Sequence, residues 1–187
     1  MEIILGSASP RRKQLLKQMG LDFIVKVSDV EEIYDPSTPA TEVPVILAKL
    51  KADTLKIDLT PNQLLICCDT VVIENSEILG KPNNPQDAKD TLRRLSGKKH
   101  EVISAVCMIL NEKTIQFKDS SSIQFIPLSN AQIDYYVTTY EPFDKAGSYG
   151  IQEWLGHIGV SSIDGSYTNI MGLPTQRLYQ EIMRLSN

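Results

Sequence analysis

Residues 64–73 form an apolar run that is interrupted only by the adjacent pair Asp69 and Thr70. The apolar residues follow one another without the alternation that marks a strand with one solvated face. Such a run is typical of a strand that is buried on both faces. We therefore expect a β-sheet that is covered by helices.

Helix and hairpin signals along the chain extend this expectation to a mixed sheet. Strands are predicted at residues 1–5, 21–27, 64–73, 77–79, 101–110, 114–127 and 158–163, and helices at residues 10–19, 41–56, 85–95, 130–140 and 174–185. Hairpin turns join some of the strands, whereas helices separate others. This order favours an α/β fold (mixed α+β), with a mixed sheet flanked by helices, over an all-parallel sheet.

Asp69 is the most informative single residue because it interrupts the apolar run. A buried carboxylate is costly unless it is paired, hydrogen-bonded or bound to a metal. One interpretation is therefore that Asp69 belongs to a functional site, since ligands bind where strands end in open α/β sheets. The other is that Asp69 marks the end of the strand, at a sheet edge where a loop begins.

Residues 6–12 predict an anion site at a strand-to-helix turn. Ser9 fits the N-cap, which places Arg11 and Arg12 in the first helical turn. Cations are unfavourable there, because the start of a helix carries about half a positive charge. Free N–H groups, the hydroxyl of Ser7 and two guanidiniums would suit a phosphate chain. The plain alternative is a solvated, basic helix start.

Two lysines are further candidates for binding phosphate. Lys81 lies between Gly80 and Pro82, a frame that fixes a loop lysine in place. Lys51 lies on a predicted helix, where its plain alternative is a surface lysine.

Glu32 and Gln152 complete the set of candidate residues. Glu32 follows a predicted strand, and with Asp69 it would supply two carboxylates for Mg²⁺, which takes its other ligands from water and substrate phosphate. Gln152 lies in a tight loop and can both donate and accept, as recognition of a base edge requires. Its plain alternative is an exposed surface residue.

Composition narrows the classes of function. The 187 residues carry a net charge of −4, which disfavours a nucleic-acid binder. No segment approaches the ~20 apolar residues of a membrane helix, and the first apolar run is too short for a signal peptide, so we expect a cytoplasmic chain with no membrane partner. Cys67, Cys68 and Cys107 are odd in number and predict reduced, buried thiols.

Taken together, a series of short motifs resembles the Maf family of nucleotide pyrophosphatases. The motifs are Ser7-Ala8-Ser9-Pro10-Arg11-Arg12, Glu32, Leu47-Ala48 with Lys51-Ala52, Asp69-Thr70, Gly80-Lys81-Pro82, Ser96-Gly97 with His100, Glu141-Pro142 with Asp144-Lys145-Ala146-Gly147, Tyr149-Gly150-Ile151-Gln152 and Gly172-Leu173-Pro174. Their joint order and spacing is far more specific than any one of them. The resemblance implies one domain over residues 1–187, similar to inosine triphosphate pyrophosphatases, with an elongated, twisted mixed sheet and a cleft between two lobes.

The resemblance also implies hydrolysis of a nucleoside triphosphate to the monophosphate and pyrophosphate, with Mg²⁺ or Mn²⁺ as a divalent cofactor. The branch that prefers dTTP and UTP is similar to this chain at Arg11, Thr70 and Gln152, which are therefore expected to set substrate specificity. Glu153 stands where many members have glycine, so the ranking among dTTP, UTP, CTP and modified pyrimidine triphosphates stays open. Family members often form homodimers, and some have been linked to arrest of septum formation in cell division.

The resulting hypothesis is attack of water at the α-phosphorus, with pyrophosphate as the leaving group. Four residues are expected to bind the phosphates: Ser7, Arg12, Lys51 and Lys81. Asp69 is expected to act as a general base or, together with Glu32, as a metal ligand. Two alternatives are a nucleotide-binding regulator of cell division whose hydrolysis is incidental, and a phosphatase or kinase of small phosphorylated metabolites.

Overall fold

A computed structural model describes residues 1–186, which form a mixed α/β structure around a seven-stranded sheet. The strands are β1 (Glu2–Leu5), β2 (Phe23–Val25), β3 (Gln63–Glu74), β4 (Glu77–Leu79), β5 (Lys99–Leu110), β6 (Lys113–Phe125) and β7 (Val160–Asp164). The helices are α1 (Pro10–Gln18), α2 (Val43–Leu55), α3 (Pro85–Leu95), α4 (Asn130–Tyr140), α5 (Trp154–Gly159), α6 (Tyr167–Ile170) and α7 (Thr175–Ser186). Within residues 1–186, no helix has both the length and the apolar character needed to cross a membrane.

The sheet has the strand order β2-β1-β3-β5-β6-β7, and β4 pairs with β3 as a hairpin. β1 pairs in parallel with both β2 and β3, whereas the pairs β3–β4 and β6–β7 are antiparallel. The prediction of a mixed sheet is therefore confirmed. β3 is the strand predicted from the apolar run, and its residues 64–69 are all buried.

The parallel pairing of β1 with β3 positions the candidate site. Leu5, the last residue of β1, lies opposite Ile66, and the N–H of Gly6 donates to the carbonyl of Ile66 at 2.8 Å. β3 then continues for eight residues, to Glu74. Asp69 therefore lies within β3, just beyond the end of β1, and the interpretation of Asp69 as the end of its strand is wrong.

The chain divides into two compact units. Unit 1 comprises residues 1–70, 104–119 and the described part of the chain from 172 onward. Its core lies between α2 and the strands β1, β3 and β5, and consists of Ile4, Ala48, Ala52, Leu55, Leu65, Cys67, Ala105, Cys107 and Ile109. On α2, Leu47 is buried, whereas the neighbouring apolar side chain of Ile46 is exposed.

Unit 2 comprises residues 71–103 and 120–171. Its largest fully buried side chains include Leu92 and Leu95 of α3, Phe125 of β6 and Tyr136 of α4. The expected single domain with a cleft between two lobes stays a prediction.

Two short helices of unit 2, α5 and α6, fall where no helix was predicted. α5 holds two glycines in six residues, a composition with low helix propensity. Its formation follows from tertiary packing, since Leu155 is fully buried. In α6, Ser166 supplies an N-cap by accepting from the N–H of Asn169.

Candidate active site

Arg12 is held in place by three hydrogen bonds from its guanidinium. The side chain of Ser9 caps α1, as predicted, and so places Arg12 in the first turn. Nε of Arg12 donates to the carbonyl of Gly172 at 2.9 Å, Nη1 to Oγ of Ser7 at 3.2 Å and Nη2 to Oγ1 of Thr70 at 3.0 Å. For Arg12, the alternative of a solvated helix start is therefore wrong. Arg11, beside it, is half-buried.

This geometry leaves part of the Arg12 guanidinium available to an anion. A guanidinium carries five N–H groups, of which three are used here. The other two make no hydrogen bond within residues 1–186. They belong to the two terminal nitrogens that also bond Ser7 and Thr70, so both hydroxyls lie beside any anion that Arg12 binds.

Thr70 extends this group through two residues to which the sequence analysis assigned no role. Its Oγ1 lies 2.8 Å from Oγ of Ser104 on β5, and 3.4 Å from the carbonyl of Gly172. Ser104 is a fully buried hydroxyl inside an apolar strand. The criterion that singled out Asp69 would also have found Ser104.

Gly172 has a backbone reason to be glycine. Its φ of 108° lies in a region that residues with a side chain rarely adopt. In this conformation its carbonyl accepts from both Nε of Arg12 and Sγ of Cys68. The motif containing Gly172 was noted in the sequence, but nothing local indicated that its carbonyl holds Arg12.

The second group of unit 1 is centred on Lys51. Nζ of Lys51 lies 2.6 Å from Oδ1 of Asp69 and 2.8 Å from Oε1 of Glu32. The side chains of Lys51 and Asp69 are only 13% and 10% exposed, whereas that of Glu32 is 53% exposed. The alternative of a surface lysine is therefore wrong for Lys51, because α2 turns this residue towards β3.

The carboxylates keep Lys51 charged despite its burial. Burial by itself lowers the pKa of Lys51, but the charge and hydrogen bond of Asp69, and then those of Glu32, outweigh it. The pKa of Lys51 is therefore raised above its ordinary value, and the ammonium carries a full positive charge at neutral pH.

The donor set of this group fits a hard divalent cation. Mg²⁺ requires only one or two protein carboxylates and completes its shell with water and substrate phosphate. Oδ2 of Asp69 and Oε2 of Glu32 make no hydrogen bond in the part of the chain that the structure describes, so each carboxylate keeps one oxygen for a metal. Residues 1–186 contain no cluster of three or more His, Cys, Asp or Glu residues suited to a metal ion. A metal held by protein ligands alone is therefore not supported.

Lys81 and Gln152 belong to unit 2. The carbonyl of Gly80 accepts from the N–H of Gly147 at 3.2 Å and Pro82 is buried, so the loop that carries Lys81 is fixed as expected. Lys81 itself is exposed and forms no ion pair with any described residue.

Gln152 is half-buried, and its Oε1 is fully buried without a hydrogen-bond partner among the described residues. A buried acceptor without a partner costs about 1–3 kcal/mol, so this atom is suited to receive a ligand donor. The alternative of an exposed surface residue does not hold for this oxygen.

The loop before Gln152 rests on a buried histidine. Nε2 of His100 lies 2.7 Å from Oη of Tyr149, and both rings pack edge-on against Phe125. Burial lowers the pKa of His100 to about 4, so the imidazole is neutral at pH 7. His100 therefore supports the loop and carries no positive charge for phosphate.

The cysteines are all free and buried, as predicted. Burial raises the pKa of Cys67 to about 12 and that of Cys107 to about 11. Both are thiols at neutral pH and are unsuited to nucleophilic attack.

Comparison with known proteins places this chain in a family. The family model described as Maf-like protein matches residues 2–185. A dTTP/UTP pyrophosphatase of Cytophaga hutchinsonii is 44% identical over 186 residues, which cover 100% of this chain and 85% of that protein. A dTTP/UTP pyrophosphatase of Flavobacterium psychrophilum is 47% identical over 178 residues, which cover 95% of this chain and 91% of that protein.

Solved structures agree at the level of the fold. The Ham1 protein of Staphylococcus aureus is 16% identical with a TM-score of 0.53, and the alignment covers 100% of both chains. A HAM1 protein of Coxiella burnetii is 15% identical with a TM-score of 0.52, over 98% of this chain and 99% of that one. The family model and the full-length relatives together show that the chain belongs to the family of Maf-like proteins.

Proposed function

We propose that this chain is a nucleoside triphosphate pyrophosphatase that hydrolyses dTTP and UTP to the nucleoside monophosphate and pyrophosphate. The observation that carries the proposal is the Lys51 group, in which a nearly buried ammonium lies between Asp69 and Glu32. Asp69 is followed in β3 by Thr70, which is hydrogen-bonded to Arg12. Relatives that match nearly the whole chain are named dTTP/UTP pyrophosphatase, which supports the choice of substrates.

The phosphate chain is the part of the substrate that unit 1 suits best. A nucleoside triphosphate carries close to four negative charges at neutral pH, and its leaving group gains charge as the bond breaks. Positive groups that are already in place therefore supply most of the stabilisation of the transition state. Arg12 and Lys51 are such groups, and Ser7 adds a hydroxyl hydrogen-bonded to Arg12. Lys81, whose ammonium has no described partner, is proposed to bind phosphate as well.

Water is proposed to attack the α-phosphorus in line with the bond that breaks. A new P–O bond forms, the bond from the α-phosphorus to the bridging oxygen breaks, and pyrophosphate leaves with that electron pair. Asp69 is proposed either to accept the proton of the attacking water or to orient the water as it attacks. Glu32 and Asp69 would hold Mg²⁺ or Mn²⁺, which when bound neutralises phosphate charge and makes water more acidic.

The base is proposed to be selected by Gln152, Arg11 and Thr70. Uracil and thymine present an N3–H donor, whereas cytosine presents an acceptor at that position. A buried Oε1 without a partner suits the donor. Thr70 bonds Arg12, so its effect on selectivity is expected to act through the position of the phosphates. A homodimeric state and a cytoplasmic location stay predictions.

A panel of nucleoside triphosphates with Mg²⁺ or Mn²⁺ tests the proposal, with products resolved as monophosphate, pyrophosphate and orthophosphate. We expect monophosphate and pyrophosphate in equal amounts, with dTTP and UTP hydrolysed fastest. Orthophosphate in place of pyrophosphate would indicate a phosphatase. No release from any triphosphate would favour the nucleotide-binding regulator.

Asp69→Asn links the activity to the Lys51 group. Loss of a general base lowers turnover about 10²–10⁴-fold, and we expect a decrease in this range. Asp53→Asn is the matched control, because Asp53 is a carboxylate of α2 whose ion pairs within residues 1–186 are with the surface lysines Lys49 and Lys56. Turnover of Asp69→Asn equal to that of Asp53→Asn would refute both roles of Asp69.

A further inference from the structure

A buried tyrosine joins the backbone before Gln152 to the side chain after it. Tyr136 of α4 is fully buried, and its Oη accepts from the N–H of Gly150 at 2.9 Å. The same hydroxyl donates to Oε2 of Glu153. One hydroxyl thus fixes the residues on both sides of the segment that contains Gln152.

Glu153 is also held from a second direction. Its Oε1 lies 3.2 Å from Nζ of Lys145, whose side chain is 9% exposed. Nζ of Lys145 is in turn 2.7 Å from Oδ1 of Asp144. Because both oxygens of Glu153 have partners, its carboxylate can occupy few other positions.

Gly150 lies beneath the ends of the Glu153 and Gln152 side chains. A Cβ atom built on Gly150 would lie 2.7 Å from Cδ of Glu153 and 3.0 Å from Nε2 of Gln152. The ends of both side chains therefore lie over the glycine, and a methyl group there would displace at least the Glu153 carboxylate. The segment fixed at Gly150 and Glu153 carries the Gln152 amide, whose Oε1 is buried without a partner among the described residues.

We propose that Tyr136 and Glu153 are positioning residues for substrate recognition, which hold the Gln152 amide where its Oε1 meets the pyrimidine base. This inference rests on the proposed function, since it takes a nucleoside triphosphate as the substrate. Neither residue contacts the reacting atoms in this scheme. Both act through Gly150 and Gln152, so their loss weakens recognition of the base and leaves binding of the phosphates unchanged.

Kinetics of Tyr136→Phe and Glu153→Ala, with UTP as substrate and inorganic tripolyphosphate as inhibitor, test this role. Tripolyphosphate carries the phosphates without a base. We expect KM for UTP to rise about tenfold in both variants, while the inhibition constant of tripolyphosphate stays within about twofold of wild type. A merely structural role would lower the amount of active protein, and hence kcat, without moving either constant.

Two further variants sharpen the kinetic test. Glu153→Gln keeps an acceptor for Tyr136 and should recover most of the UTP affinity that Glu153→Ala loses. Tyr140→Phe is the control, because Tyr140 stacks on Tyr136 with ring centroids 5.1 Å apart. Its hydroxyl makes no hydrogen bond within the described residues. A KM for UTP in Tyr136→Phe equal to that in Tyr140→Phe would overturn the proposal.

Hydrogen exchange of the Gly150 amide gives a readout that does not depend on activity. We expect exchange at least about tenfold faster in Tyr136→Phe than in Tyr140→Phe, since the Gly150 N–H loses its acceptor. Unchanged exchange would overturn the positioning role even if wild-type protein hydrolyses UTP. Faster exchange in a protein that hydrolyses no triphosphate would support the positioning of the loop and refute the proposed function.

Discussion

Replacement of Lys51 by methionine tests the ion pairs that define the Lys51 group. The change keeps a side chain of similar length but removes the charge between Asp69 and Glu32. Asp69 would then be a nearly buried carboxylate with no cation beside it. The variant separates the energy of a buried ion pair from that of helix packing, since the stem of residue 51 is retained.

The size of the effect follows from how deeply each partner is buried. Removing one partner of a buried pair costs about 3–5 kcal/mol, because the remaining charge is left uncompensated. Lys51 and Asp69 keep 13% and 10% exposure, so we expect the lower end of that range, about 3 kcal/mol. Glu32 is 53% exposed, and its pair adds about 0–1 kcal/mol. In a chain of this size, about 3 kcal/mol corresponds to a fall in Tm of about 6–12 °C.

Urea unfolding and calorimetry of three variants measure this effect. Lys49→Met is the matched control on the same helix, because Lys49 pairs with Asp53 at the surface and should cost only about 0.3–0.5 kcal/mol. The double variant Lys51→Met/Asp69→Asn removes the uncompensated charge as well and should be more stable than Lys51→Met alone, by about 1–2 kcal/mol. The reasoning fails if Lys51→Met is no less stable than Lys49→Met. It also fails if the double variant Lys51→Met/Asp69→Asn is less stable than Lys51→Met alone.

The remaining predictions concern single residues. Arg12→Ala should lower kcat/KM about 10²–10³-fold for every triphosphate, whereas Arg11→Ala should change the ratio of kcat/KM values between substrates with different bases. Steady-state kinetics with dTTP, UTP and CTP measure both effects. Equal losses across all bases for the two variants would contradict the separate roles of Arg12 and Arg11. His100 should make stability fall in acid: its pKa is about 4 when folded and about 6.5 when unfolded, so the unfolded chain binds the proton first. At about 1.4 kcal/mol per pKa unit, the free energy of unfolding should drop by about 3 kcal/mol between pH 6.5 and pH 4, and urea titrations should show a smaller drop in His100→Gln. Ser129→Ala should lower the free energy of unfolding by about 1 kcal/mol, because Ser129 and Gln132 form a capping box at the start of α4. A thermal melt measures this loss as a lower Tm, and an unchanged Tm would contradict it.

Several parts of the fold could be predicted because their causes are local. β3 follows from a run of apolar residues, and the caps of α1 and α4 follow from a hydroxyl before the first turn. Ser9 and Ser129 make these bonds with residues only three positions away. Helix α5 was missed for the converse reason, since the burial of Leu155 and not local helix propensity holds it.

The candidate site was only partly predictable. The sequence identified Asp69 as unusual, because a carboxylate inside an apolar strand needs a partner, but it did not identify that partner. From the sequence, Lys51 could equally have been a surface lysine. Helical periodicity shows which residues share a face of the helix, but not which element packs against that face. Its burial between Asp69 and Glu32 appears only when α2 is packed on β3.

The family, the mixed α/β class and the set of residues from which a phosphate site can be built all follow from the amino-acid sequence. Which of these residues become partners depends on the tertiary structure. Arg12 illustrates the difference, because it donates to the carbonyl of Gly172, 160 positions away, and to Thr70, 58 positions away. Local propensities act over a few residues along the chain, whereas contacts at these separations depend on the path of every element between them. For that reason the charge of Arg12 in the first turn of α1 could be noticed in the sequence, but the groups that hold it there could not.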